Sequence, residues 1–233
     1  MLVYLKDFYE ICDGDLIQPT GTKQLMAMEK RLWFLVASIM MCMLTATAQD
    51  AVSVIRKHYA EAQQKVAEYD LAEKGEGNVF PEYYEINIVQ NLPGTGPHYE
   101  KVRMYFNVND NEEWQPDEPM LTRNLQFVTS KYNFAVREYY EEYLYDGEGN
   151  VEFIYCRDAD MDDGKGGEYR LYFKKGSLFK VLVNILNPET NVYEQKYAGN
   201  TMPKEYEQGY NWYMYKAEKF KKLFDEIDQD TFH

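Results

Sequence analysis

Histidine and cysteine are scarce in this chain, three of each in 233 residues. A structural zinc site wants four nitrogen or sulfur ligands at short spacing. His58, His98 and His233 stand far apart, with no cysteine nearby, so they read as solvated side chains. Serine hydrolysis needs a serine activated by a base, and none of Ser53, Ser130 and Ser177 lies in a Gly-x-Ser-x-Gly elbow. No glycine-rich nucleotide motif is present, so no cofactor is expected. Basic residues are also few, 25 against 39 acidic ones. A net charge of −14 repels phosphate backbones and anionic membrane faces, which excludes nucleic acid as a partner. No uncharged apolar run approaches the roughly 20 residues that span a bilayer core.

What the chain does have begins with an address. Met28-Glu29-Lys30-Arg31 is a basic lead, Leu32 to Leu44 is an apolar run of 13 residues, and Ala46-Thr47-Ala48 supplies the small residues of a cleavage site. That order is what a secretory signal needs, so residues 28–48 are expected to be a signal peptide. Residues 1–27 carry Asp7, Glu10, Asp13 and Asp15, which oppose a basic lead, and they read as a mis-set start. Cys42 raises a lipoprotein as the alternative, yet Ile39-Met40-Met41 precedes it where a small residue is needed. The exported part, 49–233, then has 185 residues with 21 basic against 34 acidic ones. That is the size of one domain with a substantial core. No transmembrane span follows the signal. Cys156 is the single cysteine of 49–233, and an unpaired thiol in an oxidising compartment reads as buried and inert.

From Asp50 to about Ala72, apolar residues recur at steps of three and four (Val52, Ile55, Tyr59, Ala62, Val66, Tyr69), one stripe on a helix. Alternation then takes over. Tyr84, Ile86 and Ile88, then Val102, Met104, Phe106 and Val108, read as strands about a Leu92–Pro97 loop, and strands resume near Thr122 and Ala135 after a polar loop at 109–119. Tyr145 to Val151 fits a hairpin with Gly149 in a left-handed bulge, pairing Tyr145 with Val151 and Tyr143 with Phe153. Lys174-Lys175-Gly176 makes a second turn, pairing Leu171 with Phe179 and Tyr169 with Val181. The string from Tyr143 to Val151 resembles one unit of the YD repeats of large secreted shell-forming proteins; it occurs once and implies only the hairpin. A second stripe, Tyr206, Tyr210, Tyr213, Ala217, Phe220, Phe224 and Ile227, closes the chain as a helix, with Pro203 suited to its first turn or, because Gly209 weakens that start, beginning only after Gly209, and with Lys216, Lys219, Lys221 and Lys222 on its solvated face. The fold expected is α+β: an antiparallel meander sheet of six to eight strands packed by an N-terminal and a C-terminal amphipathic helix.

Candidate sites are few. Asp158, Asp160 and Asp162 start like an EF-hand loop, but Asp163 stands where glycine is needed and Tyr169 where glutamate is needed. A looser calcium site on those three carboxylates is the one metal candidate. Glu138 and Glu142 share a strand face about 13 Å apart, too far for either hydrolytic geometry. Tyrosine is the anomaly, 22 residues. In Tyr139-Tyr140-Glu141-Glu142-Tyr143 and Tyr210-Asn211-Trp212-Tyr213 aromatics fall on both faces of their elements, leaving Tyr139, Tyr143 and Trp212 as an interaction surface. The reading that follows is a secreted or periplasmic, non-catalytic binding protein for a protein or glycan. A hydrolase with strand-borne carboxylates and a small-molecule carrier with a cavity in the sheet are the alternatives. N-terminal sequencing of the exported protein should start at Gln49, and a chain starting at lipidated Cys42 would overturn the signal-peptide reading.

Overall fold

The computed structural model describes residues 50–110, 121–158 and 166–231. They form helix α1 at residues 50–73, then eight strands: β1 (Tyr83–Leu92), β2 (Gly96–Asp110), β3 (Leu121–Phe134), β4 (Arg137–Tyr145), β5 (Val151–Asp158), β6 (Gly167–Lys174), β7 (Ser177–Asn187) and β8 (Val192–Gly199). A 3-10 turn at Lys204–Tyr206 leads into helix α2 (Glu207–Thr231). The strands make one sheet in sequence order, every neighbour antiparallel. The fold is α+β with a pure meander, as the alternating pattern implies. No helix among the described residues is long and apolar enough to cross a membrane.

Helix α1 ends as its sequence dictates. Gly75 takes a positive φ of 79°, and the amides of Gly75 and Glu76 bond back to the carbonyls of Ala72 and Leu71. These two hydrogen bonds satisfy carbonyls that the helix would otherwise leave open, and the left-handed residue favours glycine. Helix α2 starts at Glu207, directly after the 3-10 turn that Pro203 caps, and runs through Gly209 rather than beginning after it. A Cβ at Gly209 would sit 3.4 Å from the Tyr169 hydroxyl, so glycine there admits a ring against the helix.

Strands β3 to β6 bury side chains on both faces. One cluster joins Met104, Val128, Tyr143, Ile154, Leu171 and Val181 with Tyr213, Ala217, Phe220 and Phe224 of α2. The Phe224 ring lies 5.6 Å from Tyr84 and 5.9 Å from Phe106, and the Tyr145 hydroxyl donates to the Ala217 carbonyl at 2.8 Å. The other cluster joins Tyr105, Phe127, Leu144, Phe153 and Tyr172 with Val52, Ile55, Ala62 and Tyr69 of α1. Tyr59 of α1 meets the Phe153 ring edge-on at 4.9 Å.

The hairpin turns lie where expected, but three of the four expected pairs differ. Gly149 and Gly176 both have positive φ, 82° and 72°. Tyr145 pairs with Val151, yet Tyr143 faces Ile154 and Phe153 faces Leu144, because Glu152 is an extra residue between the two pairs. Such a bulge shifts the alternation by one, and Phe153 lands on the face opposite Tyr143. In the second hairpin Lys174 pairs with Ser177 across a two-residue turn, Lys175-Gly176, in which both residues are left-handed. Strand twist favours that turn over a three-residue one. Leu171 therefore faces Val181 and Tyr169 faces Val183, with Phe179 an extra residue on the far face.

One ion-pair cluster links α1 to the sheet. Arg103 of β2 donates to Glu85 of β1 at 2.7 Å and to Asp70 and Glu73 of α1 at 3.0 Å each. Glu85 and Arg103 are direct cross-strand partners. Partial burial disfavours the Glu85 charge, but hydrogen bonds from Asn87, Lys101 and Arg103 outweigh it and hold its pKa at about 2. A carboxyl lowered on folding stabilises the fold above its unfolded pKa of about 4.3 and loses that contribution as pH falls. Glu85→Gln should therefore flatten the decline of the unfolding midpoint between about pH 4.5 and 2. An unchanged acid slope would contradict the assignment.

Candidate ligand-binding cleft

On the α2 face the strand ends and the start of α2 leave an open cleft of about 740 Å³. Four strands supply its floor: Tyr132 of β3, Tyr139 of β4, Asp158 of β5 and Tyr169 of β6. Tyr132 and Tyr139 are cross-strand partners, and their rings stack at 5.0 Å with planes 8° apart. One step past the Tyr140–Arg157 pair, the same register sets Tyr139 beside Asp158. The wall comes from Tyr206 on the 3-10 turn and from Gln208, Trp212 and Tyr213 on α2. Tyr169 is the hub between floor and wall, edge-on to Tyr206 at 5.7 Å and to Tyr213 at 5.5 Å. Lys196 and Glu205 complete the lining. Lys196 is the extra residue where Val183–Tyr197 gives way to Asn184–Gln195, and a bulge re-aims its side chain.

A buried polar network fixes the floor from beneath. Glu141, 1% exposed, accepts hydrogen bonds from the hydroxyls of Tyr132 and Tyr143, both at 2.7 Å, and pairs with Lys216 at 2.6 Å. The Lys216 ammonium lies 4.3 Å from the centre of the Tyr132 ring and 3.7 Å from Glu100, which also accepts from Ser130. Burial, then the adjacent Glu141 charge, pushes the Tyr132 phenol well above its ordinary range, so it stays a donor. Tyr132 is thereby fixed in orientation by Glu141 and Lys216.

The sequence-predicted residues fare differently. Tyr139 and Trp212 line the same cleft; Trp212 is 52% exposed, its ring 5.8 Å from Tyr215. Tyr143 is fully buried under Phe220, with ring centroids 5.2 Å apart, and is no interaction surface. The reason is that β4 has no solvent face at this point: Glu141, Glu142 and Tyr143 are all buried. Lys216 is a second correction, 7% exposed rather than solvated. Its place, three residues after Tyr213 and four before Phe220, is the apolar stripe itself, and the Glu141-Glu142 doublet within a tyrosine strand was the matching signal. Asp158 reaches the cleft, whereas Asp160 and Asp162 lie outside the described residues. Among the described residues no group of three His, Cys, Asp or Glu side chains is placed to hold a metal ion.

Other expected chemistry separates as well. Glu138 is exposed beside Lys131, while Glu142 is buried on the α1 face. The two histidines are not simply solvated: His58 contacts Glu152 at 3.0 Å and His98 the Asn133 carbonyl at 2.5 Å. Cys156 is wholly buried, and burial together with Glu141 pushes its thiol up, away from the reactive thiolate. Comparison of the chain with protein-family models, with curated proteins and with solved structures found no match.

Proposed function

We propose that the chain is an exported, non-catalytic binding protein that takes a neutral oligosaccharide in the aromatic cleft. The observation that carries this reading is the convergence of Tyr139, from the floor, and Trp212, from the wall, on one groove that also holds Asp158, Glu205 and Lys196. Flat rings stack on the C–H faces of sugars, and carboxylates, phenols and amines bond their hydroxyls. A groove of about 740 Å³ suits a short ligand. A protein partner would ask for roughly 800 Å² of contact surface on each side. The mostly polar lining argues against an apolar cargo, and the acidic surface argues against an acidic glycan.

The reading takes α1 and α2 as covers packed on opposite faces of the sheet, supported by the two buried clusters and by the Tyr145–Ala217 hydrogen bond. It also takes residues 28–48 as a signal removed on export. A hydrolase is the second reading, favoured by Asp158 and Glu205 lining the same cleft.

Calorimetric titration with a panel of neutral, acidic and amino oligosaccharides tests the proposal. A neutral member should bind, and Trp212→Ala and Tyr139→Ala should each weaken it about tenfold, the loss of one ring contact worth about 1.4 kcal/mol. No binding across the panel, or unchanged affinity in both variants, would overturn it. New reducing ends that vanish in Asp158→Asn would favour the hydrolase.

A further inference from the structure

The opposite face of the sheet carries a second enclosure, about 420 Å³, between α1 and strands β4 to β6. Its polar groups stand in one row. Glu142 of β4 pairs across to Tyr155 of β5, and Tyr155 to Arg170 of β6, so a phenol separates a carboxylate from a guanidinium. The neighbouring row, Leu144, Phe153 and Tyr172, supplies the apolar side, with Ile55 of α1 above it.

Glu142 is 3% exposed and held by neutral donors alone: Tyr59, Tyr140 at 2.6 Å and Gln63 at 2.6 Å. No cation among the described residues lies within ion-pair distance of it. A buried carboxylate with about four acceptor positions keeps one for a further donor, and its uncompensated charge favours a cation. Gln63, whose amide nitrogen is committed to Glu142 and Tyr59, has its carbonyl oxygen left as a second acceptor. At the far end, Arg170 pairs with Glu168 at 2.9 Å and lies 5.6 Å over the Tyr155 ring, while its side chain is still 43% exposed. Its Nε is buried without a partner, while the exposed part of the guanidinium is what a ligand can reach. Arg56, exposed on α1, adds a positive rim.

We infer that this enclosure binds a free α-amino acid with an apolar side chain, its ammonium at Glu142 and Gln63 and its carboxylate at Arg170. Two strand spacings put the charged rows roughly 9.6 Å apart. That is the spacing of the strands; the Arg170 guanidinium leans back over Tyr155 toward Glu142, so a small ligand carrying both charges, held at each end by a charge-assisted hydrogen bond, suits the site. The apolar side chain then lies against Phe153, Tyr172 and Ile55. The site uses none of the residues of the glycan cleft, and its test does not depend on that reading.

Calorimetry on the unaltered protein decides it. L-phenylalanine should bind, and both N-acetyl-L-phenylalanine, which lacks the ammonium, and L-phenylalanine amide, which lacks the carboxylate, should bind at least tenfold more weakly. Arg170→Gln should weaken L-phenylalanine at least tenfold and remove its advantage over the amide. Absence of phenylalanine binding, or equal affinity for all three probes, would overturn the inference, even if the variant fails to fold.

Discussion

The structure depends on one constraint: a single sheet whose central strands are buried on both faces. Side chains alternate with a period of two, so a slip of one residue exchanges the faces. Bulges set the alternation where two hydrophobic clusters need it. Gln126 turns Leu125 away from the face of Phe127, Glu152 turns Val151 away from that of Phe153, and Phe179 turns Leu178 toward the α2 cluster. These extra residues fall on alternate strands at one end of the sheet, where they bend it. Lys196 is a fourth, on β8, and it lines the cleft.

Burying both faces also forces charge inward. Glu141 and Glu142 are adjacent on β4, so one lies in each core. The two are handled differently. Glu141 has an ammonium, Lys216, and two phenols; Glu142 has two phenols and an amide. A buried pair adds little net stability, because desolvation offsets attraction, yet breaking it by removing one partner costs about 3–5 kcal/mol. Here the pair joins Lys216 of α2 to Glu141 of β4, and Glu141 also accepts from Tyr132, which lines the cleft. The unpaired carboxylate on the other face is the one that a ligand cation can complete.

Much of the fold was legible because its signals are local. The stripe from Val52 to Tyr69 and the stripe from Tyr206 to Ile227 need only helical spacing, and Gly149 and Gly176 need only turn chemistry. Register was not legible, since Phe153 and Phe179 change faces through bulges that no residue type announces. Strand β8 is mostly exposed and lacks alternation, so nothing marked it. The cleft was half legible. Trp212 and Tyr139 stood out as aromatics beside polar neighbours, but their meeting joins residues 73 positions apart through a register known only from the sheet. Tyr143 misled because a strand tyrosine between carboxylates looks like surface until both faces are seen to be covered.

The central claim is that α1 and α2 cover opposite faces of that sheet, and equilibrium unfolding of two variants of α2 tests it most directly. Phe224 touches Tyr84 and Phe106, while Lys222, two residues earlier, is exposed beside Glu226. Phe224→Ala should lower the unfolding free energy by about 3–5 kcal/mol, the range for deleting a buried ring. Lys222→Ala should change it by less than about 0.5 kcal/mol. Equal denaturant midpoints for the two variants would contradict the account and make α2 a free helix rather than a cover.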